Sequence, residues 1–236
     1  MLYYGFDWTY LVLVLPCMIF ALIASANVQS TFKKYSEQYS QRRITGAEAA
    51  RRVLAHNGVS DVRIERVAGN LTDHYDPRTN VIRLSDSVYS STSTAAIGVA
   101  AHEAGHAVQY AVDYAPIKLR AAIIPLTNFG SKLAMPLILA GILLTFLGAF
   151  STVLIYLGIA AFALSFVFQL ITLPVEFNAS RRAIRAIEDA QLLTPEEQKG
   201  ARKTLKAAAM TYVAAMSVAL AQLLRLIMLY GRRRRD

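Results

Sequence analysis

The sequence is short of cysteine and, over long stretches, of charge. Its single cysteine, Cys17, excludes a disulfide within the chain and a metal site built from several thiolates, which fits a reducing compartment. No charged residue occurs in 10–26 or in 133–173. The formal net charge is nevertheless +9, so charged and apolar residues are segregated along the chain. This segregation predicts a membrane protein with a basic polar part.

The charge-free runs predict three or four transmembrane helices. The first run, 10–26, has 17 residues, near the lower length that crosses a bilayer. The 41 residues of 133–173 are too many for one span, so we interpret them as a helical hairpin with a turn near Gly148 to Ser151. A last apolar run, 207–224, continues past Arg225.

Basic residues predict which side of the membrane the polar part faces. Lysines and arginines follow the first run and flank the hairpin on the same side, which places the polar part in the cytoplasm. An uncleaved anchor fits better than a signal peptide, because nothing basic precedes the first run. The last run either crosses the membrane against this charge rule, leaving the arginines of 232–235 outside, or lies at the membrane surface.

These features predict an α+β fold that is predominantly helical, in five segments. They are an N-terminal transmembrane helix (8–27), a first cytoplasmic part (28–130), a transmembrane hairpin (131–173), a second polar part (174–206) and an apolar C-terminal helix (207–231) that is transmembrane or on the membrane surface.

The first polar part shows helix signals followed by strand signals. Thr45 to Glu48 is a capping box, and Asn57-Gly58 is a helix C-terminal signal. Alternating residues in 62–67, then 71–75 and 81–84 with turn residues between them, predict a small antiparallel meander. A helix over 94–110 follows the meander. Beyond the hairpin, 175–190 reads as a helix, and a capping box at Thr194 opens the last one.

The helix over 94–110 carries a metal motif, His102-Glu103-Ala104-Gly105-His106. At four-residue spacing the two imidazoles leave the same helix face and can reach one metal ion. Glu103 lies about 100° round the helix from His102, where it can reach the open position of the metal without being a ligand. The motif predicts a zinc hydrolase with Glu103 as the general base.

Catalytic zinc needs a third protein ligand, and three residues are candidates. His56 is expected at a helix end and His74 on a strand. Neither setting directs the imidazole toward the metal position. Glu176 is the first carboxylate after the charge-free hairpin, and a helix beginning near Pro174 would carry it one turn from Ser180. Glu176 is therefore favoured, although a carboxylate near a helix N-terminus also stabilises the helix dipole.

Three segments carry a resemblance to a known family. They are LTDHYDP at 71–77, AAHEAGHA at 100–107 and LPVEFNAS at 173–180. They resemble the YugP-type zinc metallopeptidases of bacterial membranes, within the gluzincins. The resemblance implies that His102, His106 and Glu176 ligate one Zn²⁺ and that Glu103 is the catalytic base. Many gluzincins have Asp where this chain has Ser180. We therefore interpret Ser180 as a candidate hydrogen-bond partner of a histidine that ligates the metal.

Four other polar residues are candidates for contact with the substrate or the transition state. His74, Tyr75, Arg181 and Arg182 are candidates for donors to the oxyanion. The strand over 81–84 is a candidate edge to which an extended peptide could add. Each of these residues also has a plain structural interpretation, in a solvated hairpin or against lipid headgroups.

The expected function is an integral-membrane zinc endopeptidase whose partners are protein or peptide substrates and the lipid bilayer. The expected location is the bacterial cell membrane, with several spans and the catalytic part in the cytoplasm. One alternative is a metal-binding assembly or quality-control factor without protease activity. Nucleic-acid binding is not expected, because the basic residues flank apolar runs without interleaved aromatic residues.

Overall fold

The computed structural model describes residues 7–230, and most of them are helical. The arginines of 232–235 lie outside the described residues. The helices are α1 Leu15–Ser36 with a π-helical turn at Tyr10–Val14 before it, α2 Gly46–His56, α3 Asp86–Tyr89, α4 Thr94–Ala111, α5 Ala115–Leu143, α6 Ala149–Asp189 and α7 Pro195–Tyr230. The strands are β1 Arg63–Val67, β2 His74–Asp76 and β3 Val81–Ser85. The expected helical α+β fold is confirmed.

The chain forms two compact units. The apolar unit contains the chain up to Ile23, Leu119–Thr172 and the chain from Tyr212 onward. The polar unit contains Ala24–Lys118 and Leu173–Thr211. Four helical segments of the described chain are long and apolar enough to cross a membrane, namely Tyr10–Ser36, Ala115–Leu143, Ala149–Asp189 and Pro195–Tyr230. The prediction of three or four such helices is confirmed.

Within the apolar unit, α5 and α6 form a closely packed hairpin. They are joined by a 3₁₀ turn at Thr145–Leu147 and by Gly148, whose φ of 58° suits glycine. This is the region where the sequence predicts the turn. A Cβ on Gly158 would lie 2.8 Å from the backbone oxygen of Ala134, so glycine permits this close approach of the two helices.

Arg225, which interrupts the last apolar run, has an acidic partner in the apolar unit. Its Nε donates to Oδ2 of Asp7 at 2.8 Å, and its guanidinium carbon lies 5.4 Å from the centre of the Tyr10 ring. The pair neutralises a cation in an apolar setting, where an unpaired charge is costly. Asp7 therefore supplies a counterion for the arginine in α7.

The strands of the polar unit form a mixed sheet in the order β1–β3–β2. β3 pairs in parallel with β1 and antiparallel with β2, so the expected antiparallel meander is wrong for the β1–β3 pairing. Alternation of apolar and polar residues identifies strands but does not identify their partners.

After β1 the chain crosses to the far side of β3 and forms β2, and it then turns back to form β3. The prediction that 81–84 offers an open edge is also wrong, because β3 is the central strand.

Two predicted helices belong to longer ones. α6 runs through Pro174 without a break, so no helix begins there, and α7 continues from Pro195 through the whole last apolar run. Proline lacks an N–H and costs one helical hydrogen bond, but it does not end α6 here. Glu176 thus lies inside α6 rather than in its first turn.

The predicted helix ends in the polar unit are confirmed. Thr45 Oγ1 accepts from the N–H of Glu48, and α2 ends at Asn57 before Gly58, whose φ is 71°. At Thr194 both bonds of a capping box form, because the N–H of Thr194 donates to the Glu197 carboxylate and the N–H of Glu197 donates to Thr194 Oγ1.

α4 is the buried centre of the polar unit. Small residues cover most of its surface, and the core around it includes Val53, Ile82 and Ile187. Ser93 caps its start by accepting from the N–H of Ala96. A Cβ on Gly105 would lie 2.7 Å from the backbone oxygen of Ala179 in α6. This close approach of α4 and α6 positions the site described next.

We expect Gly105→Ala to destabilise the polar unit by about 1–3 kcal/mol, because the new methyl group must push α6 backbone away. The control is Gly98→Ala on the same helix, where the nearest atoms, in Ala201, lie 3.3 Å from the new Cβ. In Gly98→Ala, the gain in helix propensity of about 1 kcal/mol offsets the unfavourable energy of the closer contact with Ala201. Thermal unfolding of the purified proteins measures both changes. Equal stability of the two variants would contradict the account of this helix contact.

Candidate metal centre

Two helices of the polar unit bring three ligand groups together. α4 supplies His102 and His106, one turn apart, and α6 supplies Glu176. Oε2 of Glu176 lies 3.3 Å from Nε2 of His102 and 3.4 Å from Nε2 of His106. All three ligand atoms lie within 4.8 Å of one another. The favoured candidate for the third ligand is therefore the one that the fold places beside the two imidazoles.

The two spacings measured from Glu176 Oε2 fit a zinc ion. With bonds of about 2.0–2.1 Å, the ligand atoms of a tetrahedral zinc site are about 3.3–3.4 Å apart. Two imidazoles and one carboxylate are also a ligand set that catalytic zinc sites use, with the fourth position left for water. The Glu176 residue is only 2% exposed, so its negative charge needs a cationic partner.

Gln109 fixes the orientation of His106. The side-chain amide nitrogen of Gln109 donates to the Val175 carbonyl at 2.9 Å and to Asn178 Oδ1 at 3.0 Å. These two acceptors direct its Oε1 at Nδ1 of His106, 3.0 Å away. Nδ1 must then carry the proton, which leaves the lone pair of Nε2 free for a metal. Gln109 is fully buried, so this arrangement is rigid.

Ser180 contacts the other imidazole. Its Oγ lies 3.1 Å from Nδ1 of His102, on the side of the ring away from Glu176. A hydroxyl can accept the Nδ1 proton, so both imidazoles can present Nε2 to the same point. The structure thus brings Ser180 to the position that the sequence hypothesis requires.

The centre carries an excess of negative charge. Burial disfavours the protonated form of His106, but the hydrogen bond to Glu176 and the charges of Glu103 and Glu176 outweigh it, so the pKa of His106 is raised. A raised pKa on a buried imidazole means that the surroundings favour a cation at this point. A bound divalent metal would satisfy the same preference.

Glu103 lies in α4 next to the first ligand and is 9% exposed. Within residues 7–230, its carboxylate has no hydrogen bond and no ion pair. Although the residue is largely buried, its carboxylate oxygens are not among the fully buried unpaired atoms, so water can reach them. This is the position expected of a group that acts on a water molecule.

Asp73 is a partly buried carboxylate, and the sequence gives no direct signal for its role. Its oxygens accept from the N–H of Ser85 at 2.8 Å and from the Ser85 hydroxyl, which ties the start of β2 to the end of β3. Burial raises the pKa of Asp73, and the negative charge of Glu103 adds to the increase. Asp73 therefore lies near enough to Glu103 to be affected by its charge.

Sequence reasoning missed Gln109, although one signal was available. Gln109 follows His106 by three residues and so shares its helix face. Asn178, which accepts from Gln109, lies in the Glu176 segment of α6. No pattern in the sequence shows that these two side chains meet.

The remaining candidates lie apart from the ligand cluster. The imidazole of His56 faces Asp189 at 3.6 Å, and Nδ1 of His74 lies 2.9 Å from the Thr72 carbonyl. The Tyr75 hydroxyl donates to Asn80, and the Tyr75 ring packs 5.6 Å from that of Tyr110. Burial raises the pKa of Tyr75 to about 12, so its hydroxyl stays protonated.

Arg181 and Arg182 follow Ser180 on α6. Arg182 Nε donates to Asn178 Oδ1 at 2.8 Å, and Arg181 is exposed. Within the described part of the chain, His74, Tyr75 and these two arginines have no hydrogen bond or ion pair with His102, Glu103 or His106. Their proposed contacts with substrate remain predictions.

Two imidazoles and a glutamate on one helix, completed by a carboxylate from a second helix, define the class of metal-dependent hydrolases. Over residues 10–231 the chain matches the family described as "Putative neutral zinc metallopeptidase", and it belongs to this family. It is 49% identical over 207 residues to the Bacillus subtilis (strain 168) protein described as "Putative membrane protease YugP". That alignment covers 88% of this chain and 90% of the relative. No solved structure matches the chain.

We expect Glu176→Ala to lower the zinc content of the purified protein as strongly as His102→Ala does, to about a tenth or less, because two ligands hold zinc poorly. Glu196→Ala removes an exposed carboxylate that pairs with Lys199 and should retain full zinc. His56→Ala and His74→Ala should also retain it. Metal analysis by plasma mass spectrometry measures the content, and full occupancy in Glu176→Ala would exclude Glu176 as a ligand.

Proposed function

We propose that the protein is an integral-membrane zinc endopeptidase in which His102, His106 and Glu176 hold one zinc ion and Glu103 is the general base. The observation that carries this proposal is the Glu103 carboxylate, which has no protein hydrogen bond within residues 7–230 and lies one residue from His102 of a three-ligand cluster. The family membership supports zinc and peptidase chemistry.

Different residues of the site have different roles in peptide hydrolysis. Zinc, when bound, polarises the scissile carbonyl and makes water more acidic. Glu103 removes a proton from the attacking water and later donates it to the leaving amine. Gln109 holds the proton on Nδ1 of His106, and Ser180 can do the same for His102, so that both Nε2 atoms remain ligands.

The sheet suggests how an extended peptide would bind. β2 pairs with β3 along one edge, and within the described residues its other edge has no strand partner. β2 also packs against α4 through Tyr75 and Tyr110. We infer that substrate adds to the free edge of β2, in place of the β3 edge that the sequence suggests. Main-chain hydrogen bonds would then hold peptides of varied sequence.

We infer that the substrates are membrane proteins or chains near the bilayer, on the cytoplasmic side of a bacterial membrane. In the chain, α5 and the apolar part of α6 up to Thr172 lie between the two histidines and Glu176, so the ligands flank the segments long and apolar enough to cross a membrane. The positive residues after the first apolar run support the cytoplasmic orientation.

A metal-binding protein without protease activity is less well supported. Such a site needs the ligands, but it does not need a further carboxylate beside them. General-base catalysis gives Glu103 a function that metal binding alone does not.

We expect Glu103→Gln to keep its zinc and to lose at least about a hundredfold in kcat, because an amide cannot accept the proton from water. Cleavage of casein and of a membrane-protein substrate by the purified, zinc-loaded protein measures the loss. Glu196→Gln is the control and should cleave as the unchanged protein does. Equal activity of the unchanged protein and the Glu103→Gln protein would exclude the proposed mechanism.

A further inference from the structure

A basic cavity lies along α6, beyond the residues of the metal centre. Its volume is about 230 Å³. A water molecule occupies about 30 Å³ in the liquid, so the cavity can hold a tetrahedral anion together with water. The polar side chains that line it are those of His56, Asn57, Asn178, Arg181, Arg182, Arg185 and Asp189.

The three arginines of the cavity lack counterions. Within residues 7–230, no carboxylate forms an ion pair with Arg181, Arg182 or Arg185. The two neighbouring acidic side chains have other partners, since Glu188 pairs with Arg202 and Asp189 faces His56. Three like charges on adjacent helical turns repel one another, so binding of an anion among them would be favourable.

An apolar groove between α6 and α7 adjoins this cavity. Its volume is about 560 Å³, and Arg181 and Arg185 line both the groove and the cavity. Phe177, on the α6 side, is 40% exposed although it is aromatic. The apolar side chains of the groove are those of Phe177, Ile184, Leu205, Ala209 and Met210.

We propose that the basic cavity and the apolar groove together form a binding site for one acidic phospholipid. The phosphate would lie among Arg181, Arg182 and Arg185, whose planar guanidinium groups match the geometry of phosphate oxygens. One acyl chain would lie in the groove. Free phosphate would use the cavity but would leave the groove unfilled, whereas a phospholipid uses both.

The position of the arginines along α6 agrees with a lipid headgroup. Arg181 follows Leu173, the end of the charge-free run, by about two helical turns, or about 12 Å. The headgroup layer extends about 5–8 Å beyond the hydrocarbon core on each side. Arginine side chains are long enough to reach back into this layer from that position.

Hydrogen bonds connect this site to the metal centre. Asn178 Oδ1 accepts from Arg182 Nε at 2.8 Å and from Gln109 Nε2 at 3.0 Å, and Gln109 faces His106. A phosphate that draws Arg182 away from Asn178 would alter the bonds that orient His106. This consequence rests on the proposed metal centre, whereas lipid binding itself does not.

Native mass spectrometry of the detergent-solubilised full chain tests the proposal without measuring cleavage. The probes are dioleoyl phosphatidylglycerol, dioleoyl phosphatidylcholine and glycerophosphoglycerol, which is the acidic headgroup without acyl chains. We expect the phosphatidylglycerol to bind with the highest affinity and to be displaced only weakly by inorganic phosphate. Equal binding of phosphatidylcholine would overturn the charge recognition, and equal binding of the free headgroup would overturn the role of the groove.

Two triple variants remove the same number of positive charges, one at the proposed lipid site and one elsewhere on the surface. Replacement of Arg181, Arg182 and Arg185 by Gln should weaken phosphatidylglycerol binding about a hundredfold, given about 1 kcal/mol for each basic residue and about 1.4 kcal/mol for each tenfold. The control replaces Arg51, Arg52 and Arg63, which are paired with Glu48 and Glu65, and should bind within about twofold of the unchanged protein. An equal loss in the control would overturn the proposal.

A peptide is the competing occupant of the groove. If the Arg181, Arg182 and Arg185 substitutions raise KM for a peptide in lipid-free detergent while phosphatidylglycerol binding is unchanged, the site serves substrate and the lipid proposal fails. If the unchanged protein binds phosphatidylglycerol selectively and shows no peptidase activity, the proposed function fails and the lipid site stands.

Discussion

The contact between the Glu176 carboxylate and the imidazoles of His102 and His106 is the interaction on which the metal centre depends. It requires a close approach of α4 and α6. Gly105 permits this approach, because any side chain there would collide with the backbone at Ala179. Most of the other buried residues of α4 are small, so the core packs closely around the helix. The alanine-rich composition of α4 is thus a requirement of the site as well as of the core.

A second layer of hydrogen bonds makes that contact specific. Gln109 and Ser180 hold the far nitrogens of the two imidazoles, and Gln109 is held in turn by Val175 and Asn178. A ligand whose far nitrogen is fixed cannot rotate away from the metal position. α6 contributes Glu176, Asn178 and Ser180 to this arrangement, so one helix supplies both a ligand and the groups that orient the others. The continuity of α6 through Pro174 keeps these residues in register.

The motif and its local setting could be predicted from the sequence. Periodicity and capping residues located α2, α4 and the start of α7, and the ligand number of zinc directed attention to Glu176. Strand partners could not be predicted, because alternation shows which face of a strand is buried and not which strand lies beside it. The error over β3 follows from this limit. The continuity of α6 was missed because the sequence argument treated Pro174 as a helix start. Gln109 was missed because Val175 and Asn178, which position its amide, are distant in the chain and carry no charge.

X-ray absorption at the zinc edge of the purified, metal-loaded protein tests the central claim most directly. The claim is that α4 supplies two imidazoles and the polar end of α6 supplies one carboxylate to a single ion. It predicts a first shell of nitrogen and oxygen at about 2.0–2.2 Å, with outer-shell scattering from two imidazole rings. A third imidazole ring, as from His56 or His74, or a sulfur at about 2.3 Å, as from Cys17, would contradict it.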